Sequence, residues 1–319
     1  MTMTYQLNPF KFRALHQGLI LLGSPHSAVT LPYHPRLEFL LHQREVSAAD
    51  LALLTDQERA VLVREHVFID WTSTNESLVD RQLGFFSLCG DGEAEQLYQD
   101  RLAGARVAVL GVGGLGSQVA YILATAGVGE LVLCDYDVVE RSNLNRQILY
   151  TEDSLGQLKV DAAQQALSRI APQVKVSVRN TQLLDRDTVA ELVRGCDVVV
   201  RAVDQPFGIA FEIDEACRSL GIPHIGGGFV ETVCTAGPFC TPESVPLNAS
   251  LGGKDFTAAS YYKGPVLGPL AFWLASYVTS DIIRYLTRVA PPQLLDRAVL
   301  LDWLTGRMFV QDLRLPQTV

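Results

Sequence analysis

The sequence predicts a mixed α/β chain with a mostly parallel sheet, preceded by a small module in which strands come first and helices follow. Two observations carry this expectation. From Arg106 onward, wholly apolar runs such as Val107–Leu110 and Leu131–Cys134 alternate with helical patterns, the texture of parallel strands covered on both faces. Before about residue 72 the order is different, with short β-type runs grouped together and amphipathic helices grouped after them. A length of 319 residues allows two unequal domains. The boundary is expected between residues 72 and 73.

In the N-terminal module the expected strands are Phe10–Leu15, Gly18–Leu22 and Ala28–Leu31, the last two separated by Gly23, Ser24 and Pro25. Pro35–Gln43 places Leu37, Leu40 and Leu41 at helical spacing. Ser47-x-x-Asp50 resembles a capping box before a short helix ending near Leu54, and Thr55-x-x-Glu58 is a capping box for Asp56–His66. The sum is a winged-helix-like β3α3 module. A polar linker and further helix follow, broken at Gly90-Asp91-Gly92.

The second domain opens with the strand Val107–Leu110, a glycine turn and a helix through Ala126. Strands are expected at Leu131–Cys134, Val174–Val178 and Val198–Ala202, with another ending at His224–Gly227 and a helix at Asp161–Ile170. Near the end, Ala298–Trp303 and Met308–Leu313 flank Thr305-Gly306 and read as a hairpin.

Composition narrows the function. The apolar fraction of 48% and mildly positive mean hydropathy suit a chain with a sizeable core. A net charge of −9, with 7 Lys+Arg against 9 Asp+Glu in the first 90 residues, argues against nucleic-acid binding. The six cysteines form no C-x-x-C pair, so neither a disulfide framework nor a zinc ribbon is expected. The N-terminus lacks the apolar core of a signal peptide. The most apolar stretch, Val266–Tyr277, falls short of the ~20 helical residues that span a bilayer. A cytoplasmic location without membrane association is expected.

Gly111-Val112-Gly113-Gly114-Leu115-Gly116 follows a strand directly and opens a helix. Such glycines let the backbone approach a phosphate, whose charge meets the N–H groups at the helix start. Asp135 ends the second strand, where a carboxylate can accept hydrogen bonds from a ribose. To this point an NAD enzyme fits as well as an ATP enzyme, and the domain is Rossmann-like in either case. The following residues separate the two. Asn143, Arg146 and Gln147 lie in the segment after that strand, Lys159 opens the next helix, and Asp204 follows the apolar strand Val198–Ala202. Hydride transfer needs no such cationic set. Attack on the α-phosphate of ATP does, because cations take up charge on the triphosphate while a carboxylate holds Mg²⁺.

Gly111–Gly116, Asp135–Gln147, Gly156–Lys159 and Asp204 resemble the adenylation domain of the superfamily that contains the ThiF and MoeB adenylyltransferases and the ubiquitin-activating enzymes. The resemblance covers about residues 78–313. It implies an ATP- and Mg²⁺-dependent enzyme, with ribose binding by Asp135 and phosphate contacts by Asn143, Arg146, Gln147 and Lys159. It also implies Mg²⁺ binding by Asp204 and a homodimer in which Arg81, within Asp80-Arg81-Gln82, reaches the neighbouring subunit's ATP.

Two departures refine the resemblance. Members of the ThiF and MoeB type usually carry two C-x-x-C pairs for a structural zinc; only Cys240 stands after Gly237-Pro238-Phe239, and no cysteine precedes Gly264–Leu270. Zinc is therefore not expected, and no recognisable acyl-transfer loop surrounds Cys234 or Cys240. The second departure is the module at residues 1–72, which resembles the peptide-recognition element of enzymes that modify ribosomally made peptides, such as those maturing microcin C and pantocin A. That similarity implies a precursor peptide whose leader adds as a strand to an exposed edge, expected at Ala28–Leu31. The leading expectation is adenylation of a peptide carboxylate or amide, followed by intramolecular bond formation. The alternatives are adenylation of a ubiquitin-like sulfur carrier, a non-catalytic binding scaffold and an NAD dehydrogenase.

Overall fold

A computed structural model describes residues 4–23, 28–69, 77–89, 94–250 and 265–313. The expected boundary between residues 72 and 73, the turn residues Ser24 and Pro25, and the break at Gly90–Gly92 lie outside the described residues. The chain divides into two units, Met1–Gln99 and Asp100–Val319.

The first unit contains strands β1 (Thr4–Leu7), β2 (Arg13–His16), β3 (Leu19–Leu22), β4 (Val29–Pro32), β5 (Glu45–Ser47) and β6 (Phe68–Ile69). Its helices are α1 (Pro35–Leu41), α2 (Ala48–Leu51), α3 (Asp56–Arg64) and α4 (Asp80–Phe86), with the start of α5 (Glu95–Ala103). Strands β2, β3 and β4 stand where the three strands were expected and form an antiparallel sheet with β3 in the middle, so among the described residues both β2 and β4 are edges. Gln17 and Gly18 at the β2–β3 turn have φ of 49° and 75°, the left-handed pair that a tight hairpin needs. Both capping boxes form: Ser47 with Asp50 at α2 and Thr55 with Glu58 at α3. Leu37, Leu40 and Leu41 turn inward from α1 and pack with Ile20 and Leu22 of β3.

A second antiparallel sheet, in the order β5-β1-β6, was not anticipated. Its strands are two to four residues long, too short to show a period of two. They are held by long-range partners instead. The wholly buried Asn8 side chain donates to the His66 carbonyl at 3.1 Å and to Ser87 Oγ at 2.8 Å. The first expected strand likewise starts later, at Arg13, because Asn8 Oδ1 accepts the Phe10 N–H in a turn.

The second unit contains strands β7 (Arg106–Leu110), β8 (Glu130–Cys134), β9 (Lys175–Arg179), β10 (Val198–Arg201), β11 (His224–Val230), β12 (Val233–Ala236), β13 (Arg297–Asp302) and β14 (Arg307–Asp312). Its helices are α6 (Gly114–Thr125), α7 (Lys159–Ile170), α8 (Arg186–Val193), α9 (Ile209–Leu220), α10 (Leu247–Ser250) and α11 (Gly268–Thr287). One eight-stranded sheet runs in the order β14-β13-β12-β11-β10-β7-β8-β9. Pairing is parallel from β9 through β11 and antiparallel from β11 to β14. The fold is therefore the mixed α/β class expected, with the hairpin turning at Gly306.

Successive residues of a strand face opposite sides of the sheet. Ala108, Leu110, Val132, Cys134 and Val199 pack against α8 and α9. The intervening Val107, Val109, Leu131, Leu133, Val198 and Val200 are equally buried on the other side, where α6 packs against α11. Each such aliphatic side chain contributes on the order of 1.5–3 kcal/mol when removed from water. No helix among the described residues is long and apolar enough to cross a membrane.

Candidate active site

Strand β7 has β8 on one side and β10 on the other, so the chain direction of the crossovers reverses beside it. Ligands of open α/β sheets lie outside the carboxyl ends of the strands at such a reversal. The glycine turn sits there. Gly111 has φ of 89°, and a Cβ on it would collide with the Ala202 carbonyl. A Cβ on Gly116 would strike the Gly111 carbonyl and approach Val109 Cγ1 to 3.2 Å, so this glycine lets α6 lie close against β7. Gly113 and Gly114 serve another purpose. A Cβ on Gly114 would come no nearer than 3.6 Å to Arg146, and both glycines open onto a cavity of about 480 Å³.

That cavity is also lined by Asp137, Asn143, Arg146, Gln147, Lys159 and Asp204. An adjoining pocket of about 140 Å³ is lined by Gly111, Asp135, Tyr136 and Lys159. The structure thus brings together Gly111, Gly113, Gly114, Asp135, Asn143, Arg146, Gln147, Lys159 and Asp204, while Gly116 supports the turn from behind. Arg81 stands in the other unit, on α4, with its guanidinium 5.5 Å from the centre of the Phe10 ring.

Each polar group has a definite setting. Asp135 accepts the Val112 N–H on Oδ2 at 2.7 Å and the Asp137 N–H on Oδ1 at 2.9 Å. The carboxylate therefore fastens the glycine turn to the end of β8, and its remaining lone pairs are open to a hydroxyl donor. Lys159 is the first residue of α7 and is buried, with Nζ 2.7 Å from Asp137 Oδ2. Asn143 accepts the Glu140 N–H at 3.0 Å, closing a short turn that leads into Arg146. The Arg146 guanidinium donates to the Ser142 carbonyl at 2.7 Å and to Asn145 Oδ1 at 2.9 Å. Gln147 is buried, and its Oε1 has no hydrogen-bond partner among the described residues. Asp204 is exposed and accepts no hydrogen bond from the described residues. Burial first, and then the negative charges of Asp137, Asp135 and Asp204, raise the pKa of Tyr136 at the rim.

Three contributions were missed in the sequence. Gln118, four residues beyond Gly114 on α6, is wholly buried and donates to the Arg146 carbonyl at 2.7 Å. Tyr150 donates to the Val112 carbonyl at 2.8 Å and so braces the glycine turn. Gly227, Gly228 and Phe229 line the cavity from β11. The run Gly226-Gly227-Gly228 inside a strand was the available signal, since glycine there marks close approach.

A cavity with open glycines, two cations and the exposed carboxylate of Asp204 fits a nucleoside triphosphate with its divalent cation. The sequence model described as the ThiF family matches residues 79–318. The chain belongs to the ThiF family. It is an ATP-dependent adenylyltransferase of that family. The molybdopterin-synthase adenylyltransferase of Salmonella typhimurium is 32% identical to this ThiF-family chain over 197 residues, which cover 61% of the chain and 78% of the relative. The SAMP-activating enzyme E1 of Haloferax volcanii is 43% identical over 129 residues, 40% of this chain and 47% of its own length.

Among solved structures, MccB of E. coli with ATP superposes with a TM-score of 0.84 at 23% identity, covering 99% of this chain and 98% of that one. The microcin C7 biosynthetic enzyme MccB in complex with N-formylated MccA gives 0.85 at 22% identity and the same coverage. PaaA gives 0.77 at 24% identity, covering 95% of this chain and 98% of its own. These likenesses establish the shared fold, and they run through the N-terminal unit as well as the ThiF domain.

Proposed function

We propose that this ThiF-family enzyme adenylates a carboxylate or amide in a ribosomally made precursor peptide and so prepares it for intramolecular bond formation. The observation that carries the reading is the extent of the likeness to MccB. It covers 99% of the chain, including the N-terminal unit that precedes the ThiF-family match at residue 79. That structure holds N-formylated MccA. The N-terminal domain, residues 1–72, would bind the leader of the peptide, with the edge strand β4 offering its backbone groups.

In this reading the Gly111–Gly116 turn cradles the phosphates and Asp135 receives the ribose hydroxyls. Asn143, Arg146, Gln147 and Lys159 contact the phosphates, Asp204 holds Mg²⁺, and Arg81 comes from the partner of a homodimer. The divalent cation, when bound, neutralises charge on the phosphate oxygens. A peptide carboxylate oxygen attacks the α-phosphorus, the bond from that phosphorus to the pyrophosphate oxygen breaks, and pyrophosphate leaves. An internal nucleophile of the peptide then adds to the acyl carbon and AMP departs. A carboxylate is already ionised near neutral pH, so no strong protein base is required, and positioning and charge stabilisation supply the rate.

The second reading is adenylation of a ubiquitin-like sulfur carrier. It is favoured by the 32% identity to a molybdopterin-synthase adenylyltransferase. ATP–pyrophosphate exchange separates the two. Exchange stimulated by a short peptide encoded beside this gene supports the first reading. Stimulation only by a carrier protein ending in Gly-Gly supports the second and rejects the first.

A further inference from the structure

Three charged or titratable side chains behind the nucleotide cavity form a buried chain that the chemistry above does not use. Arg201 closes β10; its Nε donates to His224 Nδ1 at 2.8 Å and its Nη2 to the Pro238 carbonyl at 3.3 Å. His224 opens β11, with Nε2 2.9 Å from Asp214 Oδ1 on α9. Asp214 Oδ2 in turn accepts the Leu247 N–H at 3.0 Å. Arg201 is 9% exposed, and His224 and Asp214 are each 2% exposed. An arginine Nε–H only donates, so His224 Nδ1 accepts and the ring proton sits on Nε2, directed at Asp214. The imidazole is therefore neutral, and burial, which outweighs the hydrogen bond to Asp214, lowers its pKa to about 4.

The side-chain ligand atoms of Asp214, His224 and Cys240 all lie within 4.8 Å of one another, a spacing that could suggest a metal. The hydrogen bonds argue otherwise. Both ring nitrogens are engaged, and Arg201 already supplies the positive charge that a cation would bring.

Gly226, the register partner of Arg201, lets β11 lie close beside the end of β10. A Cβ on Gly226 would lie 2.8 Å from Arg201 Cβ and 2.5 Å from its carbonyl oxygen. Replacing a buried ionic cluster with apolar groups of similar volume is often neutral or stabilising, so stability alone does not explain these residues. Their place in the chain does. Arg201 leads directly into Ala202–Asp204, and His224 stands three residues before Gly227; both continuations line the same cavity. Hydrogen bonds of fixed length join the two strand ends to α9, to the Pro238 segment and to α10.

We infer that Arg201, His224 and Asp214 are positioning residues that set the placement of the Ala202–Asp204 segment, and through it the carboxylate that receives the divalent cation of the bound nucleotide. This rests on Asp204 as the Mg²⁺ ligand, but not on the identity of the acyl substrate. The test therefore uses only ATP and Mg²⁺ with the full-length chain, read as the Mg²⁺ concentration that half-restores ATP affinity in titration calorimetry.

The triple variant Arg201→Met, His224→Leu, Asp214→Leu should melt within a few degrees of the wild type. Its Mg²⁺-free ATP affinity should stay within about two-fold, while the Mg²⁺ midpoint rises about ten-fold or more. A purely structural network would move melting or Mg²⁺-free affinity and leave the midpoint alone. Should the triple variant fail to fold, Arg201→Lys keeps the charge but cannot reach both acceptors, and it should raise the midpoint, while His224→Gln, which keeps one donor and one acceptor, should not. Asp204→Asn is measured alongside and reports on the site reading by itself. An unchanged midpoint in the folded triple variant, or in Arg201→Lys, overturns the inference whichever way Asp204→Asn behaves.

Discussion

Lys159 is held at both ends by one residue. Its side-chain Nζ lies 2.7 Å from Asp137 Oδ2, and its backbone N–H donates to the Asp137 carbonyl at 2.9 Å. The lysine is thereby kept buried at the start of α7 with its charge directed into the cavity rather than into solvent. Asp137 is half exposed, so the pair is open to exchange: a phosphate arriving at the glycine turn can take the ammonium, which releases the carboxylate.

Lys159→Ala and Arg146→Ala should each lower the rate of adenylation by a factor of about 10²–10³, the usual consequence of losing one preorganised contact to developing charge. Circular dichroism should show the fold intact in both. Turnover close to the wild type in either variant would remove that residue from the site.

Asp204→Asn should shift the Mg²⁺ titration of activity to higher concentration, because a neutral amide is a poorer ligand for a hard cation. Asp137→Asn is the comparison. If only the Asp137 variant shifts the titration, the metal role belongs to the carboxylate that Lys159 now holds.

Arg81→Ala and Lys159→Ala chains, each strongly impaired alone, should regain activity when mixed under conditions in which subunits exchange. One of the two sites then combines an intact Lys159 with an intact Arg81 from the other chain. Exchange demonstrated by mass spectrometry without recovery of activity would mean that Arg81 does not act across an interface.

Acid should destabilise the fold through His224. Burial depresses its pKa from 6.5 to about 4, so the unfolded chain takes up a proton that the folded chain refuses. This contribution is complete above pH 6.5 and is lost as the pH falls toward 4; a depression of that size is worth on the order of 3 kcal/mol. Asp214 adds a further loss only at lower pH, below the ordinary carboxylate value and so outside this window. Burial raises its pKa, but the hydrogen bonds from His224 and the Leu247 N–H prevail and hold it below the ordinary carboxylate value. Urea midpoints measured between pH 8 and 4.5 should fall across this window and fall less in His224→Gln. An equal fall in both proteins would assign the acid lability to other groups.

Thiol chemistry offers a separate check. Burial raises the pKa of Cys134, Cys217 and Cys234 to about 12 and of Cys196 and Cys240 to about 11, whereas Cys89 is only partly buried. At pH 8 a disulfide reagent should label Cys89 and spare the other five until the chain is unfolded. Metal analysis of the same preparation should give well under one zinc per chain. A stoichiometric zinc would show that these thiols are ligands and overturn both expectations.

Much of the second unit was legible in the sequence because its signals are local. Continuous apolar runs such as Val107–Leu110 alternating with helical patterns are the texture of parallel strands buried on both faces, and the Gly111–Gly116 turn carries its backbone requirement in its composition. The family resemblance carried by Asn143 to Lys159 pointed to Arg146 and Lys159, which line the cavity. The β5-β1-β6 sheet and the positions of Gln118, Tyr150 and the Arg201–His224–Asp214 chain depended on tertiary structure. Each rests on partners remote in sequence: Asn8 meets Ser87, and Arg201 meets His224 only because β10 and β11 lie side by side. A buried polar side chain leaves no periodic mark on its neighbours, since what makes it tolerable is a hydrogen-bond partner, and folding alone supplies that partner.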